Sequence, residues 1–167
     1  MKNIDSKKLT RAAMIAALYA VLTLFQGIVF PAFLTFGNVQ LRVAEGLTLL
    51  PLVEAAAVPG LFIGCLITNM VLTAYSTFGW VDIVLGSLTT LVAAVLTRKA
   101  RSKFAGMLPP ILLNAFVVSI WVSYYTNFPY VLCVLSIGLG EALAVFIFGP
   151  IFLEVYKRVM DKNRNGI

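Results

Sequence analysis

The sequence predicts an all-α membrane protein that crosses the bilayer six times. Its 167 residues are 60% hydrophobic and only 12% charged, and the mean hydropathy is +0.96. A spanning helix needs roughly 20 apolar residues, so this length accommodates about six spans with short loops and no second, soluble domain. We therefore expect residues 1–167 to form one transmembrane domain.

The apolar runs and the breaks between them place the six spans. We expect these at about residues 9–30, 41–57, 59–79, 82–97, 107–126 and 131–156. Pro31 ends the first run, and Pro59 with Gly60 turns the chain after the second. Residues 9–30 lack a small-residue cleavage site, so we expect a first span rather than a removed signal peptide.

Basic residues occur in three clusters, which predict the orientation. One cluster precedes the first span, one lies between the fourth and fifth spans, and one follows the last: Lys2, Lys7, Lys8 and Arg11; Arg98, Lys99, Arg101 and Lys103; Lys157, Arg158, Lys162 and Arg164. The positive-inside rule puts all three on the cytoplasmic side, which requires both termini to be cytoplasmic. Because this arrangement explains the net charge of +6, we expect the lipid bilayer, and no nucleic acid, as a partner.

The first span carries a row of alanines. Ala12, Ala16 and Ala20 lie on one helix face, with Ala13 and Ala17 beside them. Small residues at every fourth position let another helix approach closely. The pattern alone leaves open whether that helix belongs to this chain or to a partner.

The stretch from residue 37 to residue 51 is the strongest functional candidate. It places Gln40, Arg42 and Glu45 close together between apolar segments. A charge at the centre of a spanning helix costs at least about 2.5 kcal/mol, so ionisable groups at membrane depth indicate function. In an α-helix, Arg42 and Glu45 share a face and can pair, whereas Glu54 turns to the opposite face and is expected to serve a different purpose.

Further polar residues interrupt the later spans. They include Asn69, Asp82, Asn114 and Glu141, with Trp80 on the expected stripe of Asn69 and Trp121 on that of Asn114. Convergence of these groups predicts a site reached from outside, where aromatic rings stack on a planar heterocycle and amides and carboxylates bind its edges. The alternatives are a structural network of polar groups and, for Asp82, a helix N-cap.

The sequence lacks the usual equipment of an enzyme. It contains no GxxxxGK[ST] phosphate loop and no histidine, and we find neither a metal-ligand cluster nor a nucleophile elbow. Cys65 and Cys133 lie in apolar runs and are expected to be buried thiols. We therefore predict a binding subunit without catalytic residues, metal or cofactor, which takes its energy from another protein.

Five segments of the chain closely resemble the QueT family: FGNVQLRVAEGLTLLP, PGLFIGCLITN, DIVLGSLTT, LLNAFVV and GEAL, in this order. Members of that family are queuosine-precursor transporters and substrate-binding S components of energy-coupling factor (ECF) transporters, a type of ABC importer. The resemblance implies a six-helix S component in the plasma membrane of a prokaryote. It also implies capture of a 7-deazaguanine such as preQ1 (7-aminomethyl-7-deazaguanine) from outside, and docking on one transmembrane T subunit with two ATPase subunits.

The resemblance also implies roles for particular residues. The alanine face of the first span, formed by Ala12, Ala13, Ala16, Ala17 and Ala20, would pack against the T subunit. The substrate would contact Gln40, Arg42, Glu45, Asn69, Trp80, Asp82, Asn114, Trp121 and Glu141. Glu45 and Glu141 would bind the N1–H and amine edge and the aminomethyl cation, in either order. Alternatives are an S component for another small heterocycle or vitamin, and a stand-alone small-solute carrier.

Overall fold

A computed structural model of the chain describes residues 5–29, 42–73 and 78–165, and in these ranges the regular structure is entirely helical. The helices are α1 (Ser6–Val29), a 3₁₀ helix (Val43–Leu52), α2 (Ala57–Leu72), α3 (Ser87–Lys99), α4 (Lys103–Thr126) and α5 (Tyr130–Asn165). A π-helical segment, Asp82–Gly86, leads directly into α3, and a second, Asn114–Val118, lies inside α4. The prediction of an all-α protein with six helical segments is confirmed.

Among the residues that the structure describes, three helices are long and apolar enough to cross a membrane by themselves. They are Ser6–Gly27, Lys103–Thr126 and Tyr130–Lys162, with 22, 24 and 33 residues. The 3₁₀ helix and α2 are apolar but shorter. A six-span arrangement with both termini in the cytoplasm therefore remains a prediction.

The second segment differs from the α-helix expected over residues 41–57. It is a 3₁₀ helix of ten residues, and i→i+3 hydrogen bonds at its ends, such as the Glu45 N–H to the Arg42 carbonyl, match this winding. A rise of about 2.0 Å per residue lets ten residues extend about 20 Å, against about 15 Å for an α-helix. Three residues per turn also align Glu45 and Thr48 on one side.

The 3₁₀ helix lies inside the bundle and is surrounded by other helices. Every residue from Ala44 to Pro51 is buried. A Cβ added to Gly46 would lie 2.7 Å from the Cβ of Phe148 in α5, so only glycine allows this close approach. Leu47, Leu50 and Val145 belong to the main hydrophobic core at this contact. The segment with the ionisable residues is thus held in the middle of the protein.

Helix α1 packs closely on α2 through the alanine row. Added Cβ atoms on Gly60 and Gly64 would lie 2.8 Å from the carbonyl oxygens of Ala12 and Ala16, respectively. Ala12 and Ala16 are 8% and 5% exposed. The intramolecular alternative therefore accounts for these two residues, and they do not form the free docking face that the resemblance implied.

The other alanines of the row lie outside this contact. Ala13 and Ala17 are exposed, and Ala20 is half-buried. These residues are the part of the alanine face that remains available to another protein. Both predicted buried thiols, Cys65 and Cys133, are indeed buried and free.

Candidate functional site

A cavity lies near the end of the bundle where α2 ends and the Asp82–Gly86 segment begins. Four helices, the 3₁₀ helix and both π segments converge on it. The lining residues are Arg42, Glu45, Cys65, Asn69, Phe78, Asp82, Gly86, Thr90, Asn114, Val118, Val122, Ile137 and Glu141. The polar groups of separate segments thus meet at one place.

The two π-helical segments shape the wall of this cavity. Each contributes its first and its last residue: Asp82 and Gly86 from one segment, Asn114 and Val118 from the other. π-Helical turns are rare and occur often at functional sites, where they change the direction of side chains. The wider turns bring Asp82 and Asn114 to the same space from different helices.

Glu45 is the most deeply placed carboxyl group of the cavity, and only 2% of the residue is exposed. Its Oε1 accepts a hydrogen bond from the hydroxyl of Tyr19 at 2.5 Å. Its Oε2 is buried and has no hydrogen-bond partner among the described residues. An unpaired buried carboxylate oxygen is costly, so it is a strong candidate for contact with a ligand.

Arg42 lines the same cavity at the start of the 3₁₀ helix. The expected pair of Arg42 with Glu45 is not formed, because the ion pairs within 4 Å among the described residues involve other groups. Arg42 itself precedes the helix and has extended backbone, with φ −109° and ψ 102°. It therefore does not share a regular helix face with Glu45. Among the described residues, no ion pair therefore occupies its guanidinium, which lines the cavity.

Glu141 and Asn114 form the opposite wall. The Asn114 amide Nδ2 donates to Glu141 Oε1 at 3.1 Å and to the carbonyl of Pro110 at 3.0 Å. Glu141 is 4% exposed. This contact holds the carboxyl group of α5 against α4 at the edge of the cavity.

Asp82 is held by groups on two other helices. The indole Nε1 of Trp121 donates to Asp82 Oδ1 at 2.9 Å, and Asn69 Nδ2 donates to the Asp82 carbonyl at 2.8 Å. Trp80 and Val81 are already helical, so Asp82 lies inside the helix and the N-cap alternative for Asp82 does not apply. Three carboxyl groups and one guanidinium thus surround the cavity, an excess of acid that favours a cationic or hydrogen-donating ligand.

The structure brings most, but not all, of the predicted site residues together. Those that line the cavity are Arg42, Glu45, Asn69, Asp82, Asn114 and Glu141. Trp121 lies behind Asp82 and contacts it rather than the cavity. Trp80 is 69% exposed and lies away from it, and Gln40 lies outside the described residues.

Trp80 was expected on the Asn69 stripe because the third span was predicted to continue to residue 79. Helix α2 ends at Leu72 instead. Gly79 has a positive φ of 54°, a conformation that favours glycine and turns the chain just before Trp80. The helical spacing from Asn69 therefore does not extend to Trp80.

Sequence reasoning missed several residues of the cavity. Gly86 and Thr90 follow Asp82 by four and eight positions, and Cys65 precedes Asn69 by four. These spacings place each of them on the cavity face of its helix. The spacing could have identified these residues. They were not selected because glycine, threonine and cysteine are not costly to bury.

The cavity is small in this conformation, with a volume of about 30 Å³. A buried water needs roughly 10–15 Å³ by this measure, so the space suits about two waters. Pockets for small organic ligands are roughly 300–1,000 Å³. A heterocyclic ligand would require the lining side chains to move apart.

Glu54 belongs to a separate polar cluster at the other end of the bundle. Its Oε2 accepts hydrogen bonds from Arg11 at 2.9 Å and from Tyr156 at 2.7 Å, and its Oε1 accepts from the Ala56 N–H at 3.0 Å. The cluster joins the first turns of α1 to the last turns of α5. This position agrees with the expectation that Glu54 serves a different purpose from Glu45. The reason given for that expectation was wrong, because it assumed an α-helix where the segment is a 3₁₀ helix.

Comparison with known families decides the classification. The family model described as QueT transporter matches residues 9–158. The chain belongs to the QueT family. Its described ranges contain three helices long enough to span a bilayer, so this QueT-family chain is a membrane protein of a transporter family.

This QueT-family chain is similar to the queuosine precursor transporter QueT of Lactococcus lactis subsp. cremoris (strain MG1363), to which it is 27% identical over 173 residues. The aligned region covers 95% of this chain and 98% of the relative. No solved structure matches the chain.

Proposed function

We propose that this chain is the substrate-binding S component of an ECF-type importer in a prokaryotic plasma membrane, and that its substrate is a queuosine precursor such as preQ1. The Lactococcus relative is named as a queuosine precursor transporter, and it aligns with nearly the whole chain. The observation that carries the proposal is the acidic cavity. In particular, the buried Glu45 Oε2 has no hydrogen-bond partner among the described residues, which supports a role as acceptor for a bound ligand.

The chemistry of preQ1 suits these groups. Its guanine-like edge presents an N1–H and an exocyclic amine, and one carboxylate can accept a hydrogen bond from each of them. Its aminomethyl group is a primary amine and is protonated at neutral pH, as lysine is. In the proposal Glu45 and Glu141 bind these two parts of the ligand, in either order.

Arg42 and Asp82 complete the proposed site. The guanidinium of Arg42 can donate to the ring carbonyl oxygen, which carboxylates cannot bind while ionised. Asp82 adds a third negative group close to Asn69 and favours a cationic ligand over a phosphate. Because the present cavity accommodates only about two waters, binding of preQ1 would occur with movement of these side chains.

The proposed partners supply the energy. The sequence has no phosphate-binding loop of its own, so uptake against a gradient would depend on a T subunit and two ATPase subunits. We propose that the T subunit contacts α1 through Ala13, Ala17 and the adjoining Ala20. Ala13 and Ala17 are exposed, whereas the neighbouring Ala12 and Ala16 are covered by α2.

Reconstitution into vesicles tests this function. Labelled preQ1 should accumulate in vesicles that contain the chain, the T subunit and both ATPases, and only when ATP is supplied. An ATPase whose phosphate-loop lysine is replaced serves as the control and should abolish accumulation. Accumulation by the chain alone would contradict the proposal and establish a stand-alone carrier.

A further inference from the structure

Tyr19 contacts one residue of the candidate site, Glu45, without lining the cavity itself. It belongs to α1, is 1% exposed, and does not line the cavity. Its hydroxyl nevertheless donates to Glu45 Oε1 at 2.5 Å. Buried tyrosine hydroxyl groups usually have a hydrogen-bond partner. Here the partner is the carboxyl group of Glu45, whose second oxygen has none among the described residues.

The backbone packing of α1 on α2 places the Tyr19 ring. A Cβ added to Gly64 would lie 2.9 Å from the Cβ of Tyr19, so the glycine allows the two helices to meet closely at this level. The ring is therefore confined between α1, α2 and the 3₁₀ helix. From this buried position its hydroxyl donates to Glu45.

A second side chain of α1 holds the same segment. Gln26 lies seven residues after Tyr19, about two turns along the same face. Its Oε1 accepts from the backbone N–H of Val43 at 2.8 Å, which satisfies one of the free N–H groups at the start of the 3₁₀ helix. Arg42 supplies no side-chain cap there. Helix α1 thus holds the first turn of the 3₁₀ helix at two points, and one of them is the carboxyl group of Glu45.

The two carboxyl oxygens of Glu45 differ in their hydrogen bonding. Oε1 is occupied by Tyr19, while Oε2 has no partner among the described residues and belongs to a side chain that lines the cavity. We propose that Tyr19 is a positioning residue, which fixes the orientation of the Glu45 carboxylate so that Oε2 is presented to the ligand. The inference rests on the proposed function and assigns to α1 a role in ligand affinity.

A double-mutant cycle tests the assignment. Tyr19→Phe keeps the ring and removes the hydroxyl, and it should lower the affinity for preQ1 about tenfold, as expected for loss of a hydrogen bond to a charged group. In a Glu45→Gln background the same change should alter the affinity less than about twofold, because the carboxylate on which Tyr19 acts is gone. In a Glu141→Gln background, the full effect of about tenfold should remain. Should Glu45→Gln bind too weakly to measure, Glu45→Asp, whose shorter side chain withdraws from Tyr19, replaces it.

Tyr156→Phe provides the matched control. Tyr156 also donates to a carboxylate, that of Glu54, but at the opposite end of the bundle, so its loss should leave preQ1 affinity unchanged. An equal loss of affinity from Tyr19→Phe in both the wild-type and the Glu45→Gln backgrounds would overturn the positioning role and indicate a general structural one. Unchanged affinity in Tyr19→Phe would overturn it too. Failure of the wild-type protein to bind preQ1 would instead reject the proposed function, so the two failures are distinguishable.

Discussion

Asn114 donates a hydrogen bond to Glu141, with 3.1 Å between Nδ2 and Oε1. The contact joins the π segment of α4 to the middle of α5 at the wall of the cavity. Because the same amide also donates to the Pro110 carbonyl, Asn114 is fixed in orientation and holds the carboxyl group of Glu141 in place. Among the described residues Glu141 forms no ion pair, so no internal cation would compete with a cationic ligand for this carboxyl group.

Replacement of Glu141 by Gln should therefore lower preQ1 affinity at least about tenfold, because a charge-assisted hydrogen bond contributes roughly 1.5–3 kcal/mol. Glu45→Gln should do the same. Calorimetric titration of the purified variants measures the change. Glu154→Gln is the control, since Glu154 is exposed and pairs with Arg158 away from the cavity. Wild-type affinity in both cavity variants would reject the two assigned carboxylates.

Gly86 offers a test of cavity size. A Cβ at this position would lie 3.2 Å from Asn69 Nδ2 and 3.6 Å from Asp82 Oδ1. Overpacking typically costs about 1–3 kcal/mol, so Gly86→Ala should weaken preQ1 binding at least about fivefold. Gly149→Ala is the control. Its Cβ would lie 3.3 Å from Cδ2 of Leu49, outside the cavity, so this substitution should leave binding unchanged. Equal affinities in the two variants would show that the ligand does not use this space.

The two tryptophans should differ in their effect. Trp121→Phe removes the indole N–H that holds Asp82 Oδ1 and should lower preQ1 affinity about three- to tenfold, the effect expected for one lost hydrogen bond to a partly solvated carboxylate. Trp80→Phe alters an exposed ring and should have no effect. Stopped-flow or equilibrium titration monitored on the remaining tryptophan compares them. A larger loss in Trp80→Phe would mean that this ring reaches the ligand.

Substitutions on α1 separate docking from folding. Ala13→Leu with Ala17→Leu changes exposed positions, so it should abolish co-purification with the T subunit and spare ligand binding. Ala12→Leu with Ala16→Leu places side chains into the contact with Gly60 and Gly64, so it should lower the thermal unfolding temperature in detergent. Full assembly of the Ala13→Leu, Ala17→Leu variant would place the docking face elsewhere.

The helices could be predicted from the apolar runs, and the charged and amide residues of the cavity could be predicted because polar groups in apolar segments are expensive to bury. Five residues each interrupt an apolar run: Arg42, Glu45, Asn69, Asp82 and Asn114. The polar group of each therefore needs either a hydrogen-bond partner within the protein or a ligand. Their convergence followed from their similar depth. Tyr19 gave no such signal, since a tyrosine in an apolar helix is common and its role depends on a partner in another segment.

The winding of the helices could not be predicted from spacing. Residues 43–52 form a 3₁₀ helix inside a tight space where Gly46 meets Phe148, and this tertiary contact is not visible in the local pattern. The early end of α2 at Leu72 removed Trp80 from the predicted stripe. The alanine row illustrates the same limit, because Ala12 and Ala13 have the same residue type and differ only in what covers them.

The most direct test is calorimetric titration of the purified, detergent-solubilised chain alone with preQ1, with guanine, riboflavin, thiamin and biotin as comparators. The account predicts saturable binding of preQ1 that is much tighter than binding of the vitamins, without any partner subunit. Binding of a vitamin in place of preQ1 would contradict the assigned substrate. Absence of binding to every compound would contradict the capture role itself.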